Sequence, residues 1–184
     1  MNIFVSDRDP EVAATNLDDK RVIHMAKESI ELLAMFLLKY TGIQHILPIV
    51  KHQEPLSEMM NHPIFLWVCK DKFNLTWLFY HTAALLDEEV ERFGVAGIST
   101  KYFKRLRDSI VPYLESHIAL YTRLDNNEIK FYNCTYLSGK DVVKNYRKYL
   151  IKKWETTDKK TPTWTQSDPP QWYRKNLELF RKES

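Results

Sequence analysis

Apolar residues recur at helical spacing through most of this 184-residue chain, and the longest run comes early. Val22, Met25, Ala26, Ile30, Leu33, Phe36 and Leu37 share one side of a helix that starts at Asp18 or Asp19, runs to Tyr40 and stops at Gly42. That period marks an amphipathic element with one buried face. Upstream, Ile3, Phe4 and Val5 read as a short extended or irregular start. Asp9-Pro10 then opens a short helix over 10–16, because Asp accepts from free N–H groups and Pro has none to lose at the first helical position. Residues 43–60 form a connecting loop to Asn61-His62-Pro63, which opens a helix carrying Ile64, Phe65, Trp67 and Val68. A second long helix spans 71–93, ends at Gly94 and offers Leu75, Leu78, Ala84, Leu85 and Val90 as core positions.

Ser99 or Thr100 caps the next helix, which Pro112 should kink or end. Residues 113–124 continue helically, and Asp125-Asn126-Asn127 is a turn. Phe131 to Thr135 reads as an extended segment or ordered loop. A helix over 140–154 sets Val143, Tyr146, Leu150 and Trp154 on one side, and a Pro- and Trp-rich tail leads to a terminal helix reaching about Arg181. No repeat or linker interrupts this pattern. It predicts an all-α protein, a compact multi-helix bundle forming a single domain over 1–184, with at least six helices.

The polar positions of the first long helix change the picture. Lys20, Arg21, His24, Lys27, Glu28 and Glu31 fall at i, i+3, i+4 and i+7 spacings, so they align on the helix surface. Arg21, His24 and Glu28 follow at single-turn steps, bringing a cation, an imidazole and a carboxylate within reach of one another. Such a trio suits binding an anion and moving a proton, with Glu28 as general acid or base. It equally suits a solvated face of ion pairs. Asn61-His62-Pro63 sits at a helix N-terminus, where free N–H groups attract anions or where Asn61 simply caps the helix. Asn74 and His81, seven residues apart, either face one cavity or serve as satisfied structural groups. If the two polar clusters form one site, His62 or Asn61 should lie within one ligand's length of Arg21 or Glu28.

Composition narrows the chemistry. Four glycines and the lack of any phosphate-binding glycine loop exclude nucleotide binding of that type. Cys69 and Cys134 have neither metal-ligand spacing nor a disulfide framework, which suits reduced thiols in the cytoplasm. His24, His62 and His81 lack the spacing of a metal site, and no metal or cofactor is expected. No apolar run is long enough to span a bilayer, and Asp7, Arg8 and Asp9 come too early for a signal peptide. Net charge is only +3, yet from residue 130 onward thirteen Lys and Arg stand against six acids. That asymmetry suits a phosphate-bearing partner or a solubilising tail. Lys144, Arg147, Lys148 and Lys152 form a basic flank, and five Trp, including Trp67 and Trp164, offer surfaces for stacking on bases.

Several segments together resemble a set of small phage-encoded proteins that begin Met-Asn-Ile-Phe-Val. They are Leu17-Asp18-Asp19-Lys20-Arg21-Val22, Glu28 with Leu32-Leu33, Asn61-His62-Pro63 with Trp67, Asn133-Cys134, Tyr146 to Leu150 with Lys153-Trp154, and Pro162-Thr163-Trp164. These proteins are distantly similar to the pyrimidine dimer DNA glycosylases, the endonuclease V family of T-even phages. The resemblance implies that Glu28 is the essential carboxylate, that Arg21 and Lys27 take the places of substrate contacts, and that the fold is a mainly helical single domain acting on DNA. The family's nucleophile is an N-terminal α-amino group freed before a small second residue. Here residue two is Asn2, and Met1 is expected to be retained, which favours Glu28-assisted hydrolysis over imine chemistry.

The leading expectation is a phage base-processing protein in the cytoplasm of an infected bacterium. Glu28 and Lys27 would be catalytic. Lys20, Arg21, His24, Asn61, His62, Trp67, His81, Arg147, Lys148 and Trp164 would bind a nucleic acid or nucleotide. A rival reading is a non-enzymatic binder that sequesters a small nucleotide between helices, and a third is a transferase acting on modified DNA bases.

Overall fold

A computed structural model describes residues 2–42, 56–121, 129–156 and 161–176. Seven helices follow in order: α1 (Pro10–Thr15), α2 (Asp19–Thr41), α3 (Leu56–Met60), α4 (Pro63–Lys70), α5 (Lys72–Phe93), α6 (Ile98–Tyr121) and α7 (Val142–Thr156). A further helical turn, α8, covers 171–176, and no strand occurs among the described residues. Among them, no helix is long and apolar enough to cross a membrane. The expected turn at Asp125-Asn126-Asn127, most of the 43–60 loop and the end of the terminal helix lie outside the described residues.

Local chemistry sets most helix ends. Asp9 accepts from the N–H groups of Glu11 and Val12 and Pro10 follows it, while Asp71 caps α5 through Phe73. Gly42 and Gly94 close α2 and α5 in the left-handed conformation, at φ of 68° and 72°, where a side chain would be strained. Two expectations need correction. His62, not Asn61, caps α4, its Nδ1 accepting from Ile64 N–H. Helix α6 begins at Ile98 and continues past Pro112 to Tyr121 instead of ending there. That proline stands on the exposed side while Ile110 and Leu114 on the inner side stay buried, so packing holds both halves of the helix.

Helix α5 is the central element, packing against α1, α2, α4 and α6, with α2 also against α4 and α6. The core between them is apolar, built around Ile30, Leu33 and Leu37 of α2, Leu75, Trp77, Leu78 and Leu85 of α5, and Ile110 and Leu114 of α6. Val90 departs from the expected core and is 41% exposed. The buried groups at that end are Glu88, Glu89 and Arg92. Arg92 donates to Glu88, to Asp19 and to the carbonyls of Leu17 and Thr15, joining the end of α5 to the α1–α2 turn. A buried guanidinium is tolerable only with such a full set of acceptors.

The N-terminal segment and the 163–165 segment both fold back onto α2. Thr163 accepts from Asp19 N–H at 2.9 Å, while the Asp19 carboxylate accepts from the hydroxyls of Thr163 and Thr165 and from Thr165 N–H. Burial works against ionised Asp19, but these bonds and Arg92 outweigh it and hold its carboxyl below the usual range. At the other end, Ile3 and Val5 are fully buried. Helix α7 docks through aromatic rings, with Trp154 stacked on Trp172 and edge-on to Trp164 and Tyr173.

Candidate functional site

The first three turns of α2 form one wall of a cleft of about 330 Å³. Lys20, Arg21, His24, Met25 and Glu28 line it from α2, Asn2 and Phe4 from the N-terminal segment, and Lys153 from α7. Lys20 and His24 are exposed, Glu28 and Lys153 half-buried, and Arg21 is buried.

Glu28 reaches the chain start directly: its Oε2 accepts the backbone N–H of Asn2 at 2.9 Å. Among the described residues nothing donates to Oε1, so one carboxylate oxygen remains available to water or a ligand. The N-terminal segment is itself held in shape. Asn2 Oδ1 accepts from the N–H groups of Ile3 and Phe4, at 2.8 and 3.0 Å, and Phe4 carries a positive φ of 39°. A phenylalanine in that region is strained and persists only where its surroundings fix it. Here the ring stacks on Tyr149 and meets Tyr146 edge-on, with the Arg21 guanidinium 5.8 Å and the Lys153 ammonium 5.9 Å from its centre.

Arg21 is positioned rather than mobile. It pairs with Asp18 at 2.8 Å and lies over the rings of Phe4 and Trp154. Asp18 also accepts from Trp154 Nε1 at 3.0 Å, so one buried carboxylate fixes the cation and the aromatic wall behind it. The cleft thus sets one carboxylate among Lys20, Arg21, His24 and Lys153. Such an array attracts a phosphate ester and presents a proton acceptor beside it.

Other residues singled out in the sequence lie elsewhere. Lys27 turns toward α5, where its charge partly offsets the burial that pushes the Glu89 carboxyl up. Asn61 and His62 are not in the cleft. Asn61 is exposed and donates to Ser57, and the His62 ring is engaged as the α4 cap. The two polar clusters therefore do not line one cleft. Trp67 donates to the Lys130 carbonyl at 3.0 Å and lines a different cavity. His81 is fully buried, stacked on Trp77 with Nδ1 2.9 Å from the Pro10 carbonyl. Burial holds its pKa down at about 4, so it is a neutral packing group out of reach of the cleft.

Trp164 packs against Trp154 and Tyr173. Arg147 donates to the Ser6 carbonyl and pairs with Asp7 at 2.9 Å, tying α7 to the N-terminal segment, whereas Lys148 beside it is exposed. Sequence reasoning missed Asn2, Phe4 and Lys153 as cleft residues. The N-terminal and Lys153-Trp154 segments stood out through the resemblance, but nothing in them showed that they meet α2.

Compared with protein-family models, with curated proteins and with solved structures, the chain matches none.

Proposed function

We propose that this chain is a DNA glycosylase-like, base-processing protein of phage origin that works in the cytoplasm of an infected bacterium. On this reading its helical bundle is that of the pyrimidine dimer DNA glycosylases. A nucleotide phosphate contacts Lys20, His24 and Lys153, with Arg21 held behind them by Asp18. The sugar lies beside Glu28. Glu28 takes a proton from water, the water oxygen bonds to the sugar C1′, and the bond from C1′ to the base nitrogen breaks, the base leaving with that electron pair and taking up the proton that Glu28 received.

The observation that carries this reading is the 2.9 Å hydrogen bond from Asn2 N–H to Glu28. The resembled family uses an α-amino nucleophile at residue two together with an essential glutamate. In this chain the residue-two nitrogen and the matching glutamate are in direct contact. With Met1 in place that nitrogen is an amide without nucleophilic character, so hydrolysis falls to Glu28. With Met1 removed the same atom is an amine already beside its base.

Ultraviolet-irradiated duplex DNA is the first probe. Base release or strand cleavage should be lost in Glu28→Gln while DNA retention is kept, because the amide preserves shape and removes the base. Borohydride should trap a protein–DNA adduct only if intact mass shows that Met1 has been removed. Full activity in Glu28→Gln refutes the assignment. The small volume of the cleft, about 330 Å³, favours a second reading, a binder of one small nucleotide. That reading stands if a mononucleotide is retained and recovered unaltered while DNA is not held.

A further inference from the structure

A larger cavity of about 680 Å³ opens where α4 meets α5, under the 129–132 segment. Its size is that of a small-ligand site. One wall is aromatic. The Trp67 indole is locked by its bond to the Lys130 carbonyl, Phe131 leans on it at 6.0 Å between centres, and Tyr132 is 42% exposed beside them. A single polar group is buried in this lining. Asn74 is only 5% exposed, and its Nδ2 donates to the Trp67 carbonyl at 2.7 Å.

That bond fixes the amide, since a carbonyl accepts only from the nitrogen end. Oδ1 is left without a donor among the described residues, an acceptor offered to the cavity. Lys70 and Lys130 are exposed lining residues. The one acid in the lining, Asp71, caps α5 by accepting Phe73 N–H at 2.8 Å, and the two lysines outweigh its charge. Aromatic faces, one buried acceptor and two cations define a ligand that is flat, carries an N–H donor and bears a negative charge.

We propose that this cavity binds a nucleobase with an exocyclic amino group, the base against Trp67, Phe131 and Tyr132, the amine on Asn74 Oδ1 and the phosphate on Lys70 and Lys130. The site shares no residue with the Glu28 cleft and stands whether or not that cleft is catalytic. Stacking supplies affinity for any base, and the fixed acceptor supplies selection. A base presenting a carbonyl oxygen at that point would set two acceptors against each other, leaving both unpaired.

The test titrates the full chain with AMP, IMP, CMP and UMP, read by tryptophan fluorescence and calorimetry. AMP should bind saturably at least tenfold more tightly than IMP, or CMP than UMP. Lys70→Glu with Lys130→Glu should weaken the preferred mononucleotide at least tenfold and leave its nucleoside unchanged. Asn74→Leu, checked for fold by circular dichroism, should erase the amine preference. The exposed lysine pair keeps the test decisive if that variant does not fold. Lys101→Glu with Lys104→Glu, exposed on α6 and lining neither cleft, should have no effect. Tighter binding of a short single-stranded oligonucleotide than of the mononucleotide identifies a base within a strand, and the reverse identifies a free nucleotide. No saturable binding of AMP or CMP, equal affinities across each pair, or mononucleotide affinity unchanged in Lys70→Glu with Lys130→Glu, overturns the proposal.

Discussion

Acidifying the solution from pH 6.5 to about 4 should weaken the fold through one imidazole, His81. It is fully buried on α5, stacked on Trp77, and its Nδ1–H bonds the carbonyl of Pro10 at the start of α1. Its Nε2 is buried with no hydrogen-bond partner. Burial lowers its pKa from 6.5 to about 4, the Pro10 bond pulling weakly the other way. Between those values the unfolded chain carries a protonated imidazole and the folded one a neutral imidazole. The unfolded state then binds more protons, so falling pH favours unfolding. Above pH 6.5 both forms are neutral and the effect vanishes; below 4 the loss is complete. At ~1.4 kcal/mol per pH unit the whole drop is about 3 kcal/mol.

Among the described residues, two carboxyls with shifted pKa share this pH range or border it. The raised Glu89 carboxyl acts in the opposite sense, and the lowered Asp19 carboxyl loses its contribution at still lower pH. Both are present in His81→Leu, so the difference between the two proteins isolates the imidazole. Urea unfolding followed by circular dichroism at successive pH values from 7.5 to 4 gives the two stability curves. The variant starts lower, because the Pro10 carbonyl loses its donor, and the gap should close by about 3 kcal/mol as the pH falls. Parallel curves would refute the argument, and so would an NMR titration placing the His81 midpoint near 6.5.

Asp18→Ala should cost about 3–5 kcal/mol in urea unfolding, because it removes the buried carboxylate that pairs with Arg21 at 2.8 Å and accepts from Trp154 Nε1; a loss below about 1 kcal/mol would refute that account. Lys148→Glu should weaken retention of duplex DNA uniformly across sequences and lower its salt slope by about one, with no change in stability. Arg147→Glu should also destabilise the protein, since it would face Asp7 and abandon the Ser6 carbonyl. DNA retention unaltered in both variants would make the basic flank a solubility feature.

Helix positions were legible in the sequence because they depend on contacts within a few residues. The apolar stripe of α2, the Asp9-Pro10 start and the glycine stops at 42 and 94 each act over one turn of chain. The Arg21–His24–Glu28 series was legible for the same reason, lying on one helix at one-turn steps. Its neighbour Lys27 was misread because one residue turns a helix by about 100°, which sends that side chain to Glu89 instead. Pro112 did not end its helix, because Ile110 and Leu114 on either side of it are buried in the core. Only the tertiary structure decided what stands opposite Glu28. Asn2, Phe4 and Lys153 come from the two ends of the chain, and no periodicity links residues so far apart. Likewise His81 carries the residue type of a binding site but is fixed by the carbonyl of Pro10, 71 positions away, and Trp67, held by the carbonyl of Lys130 63 positions away, faces a different cavity from the Glu28 cleft. A side chain's type states what it is able to bind, and the packing around it decides whether anything can reach it.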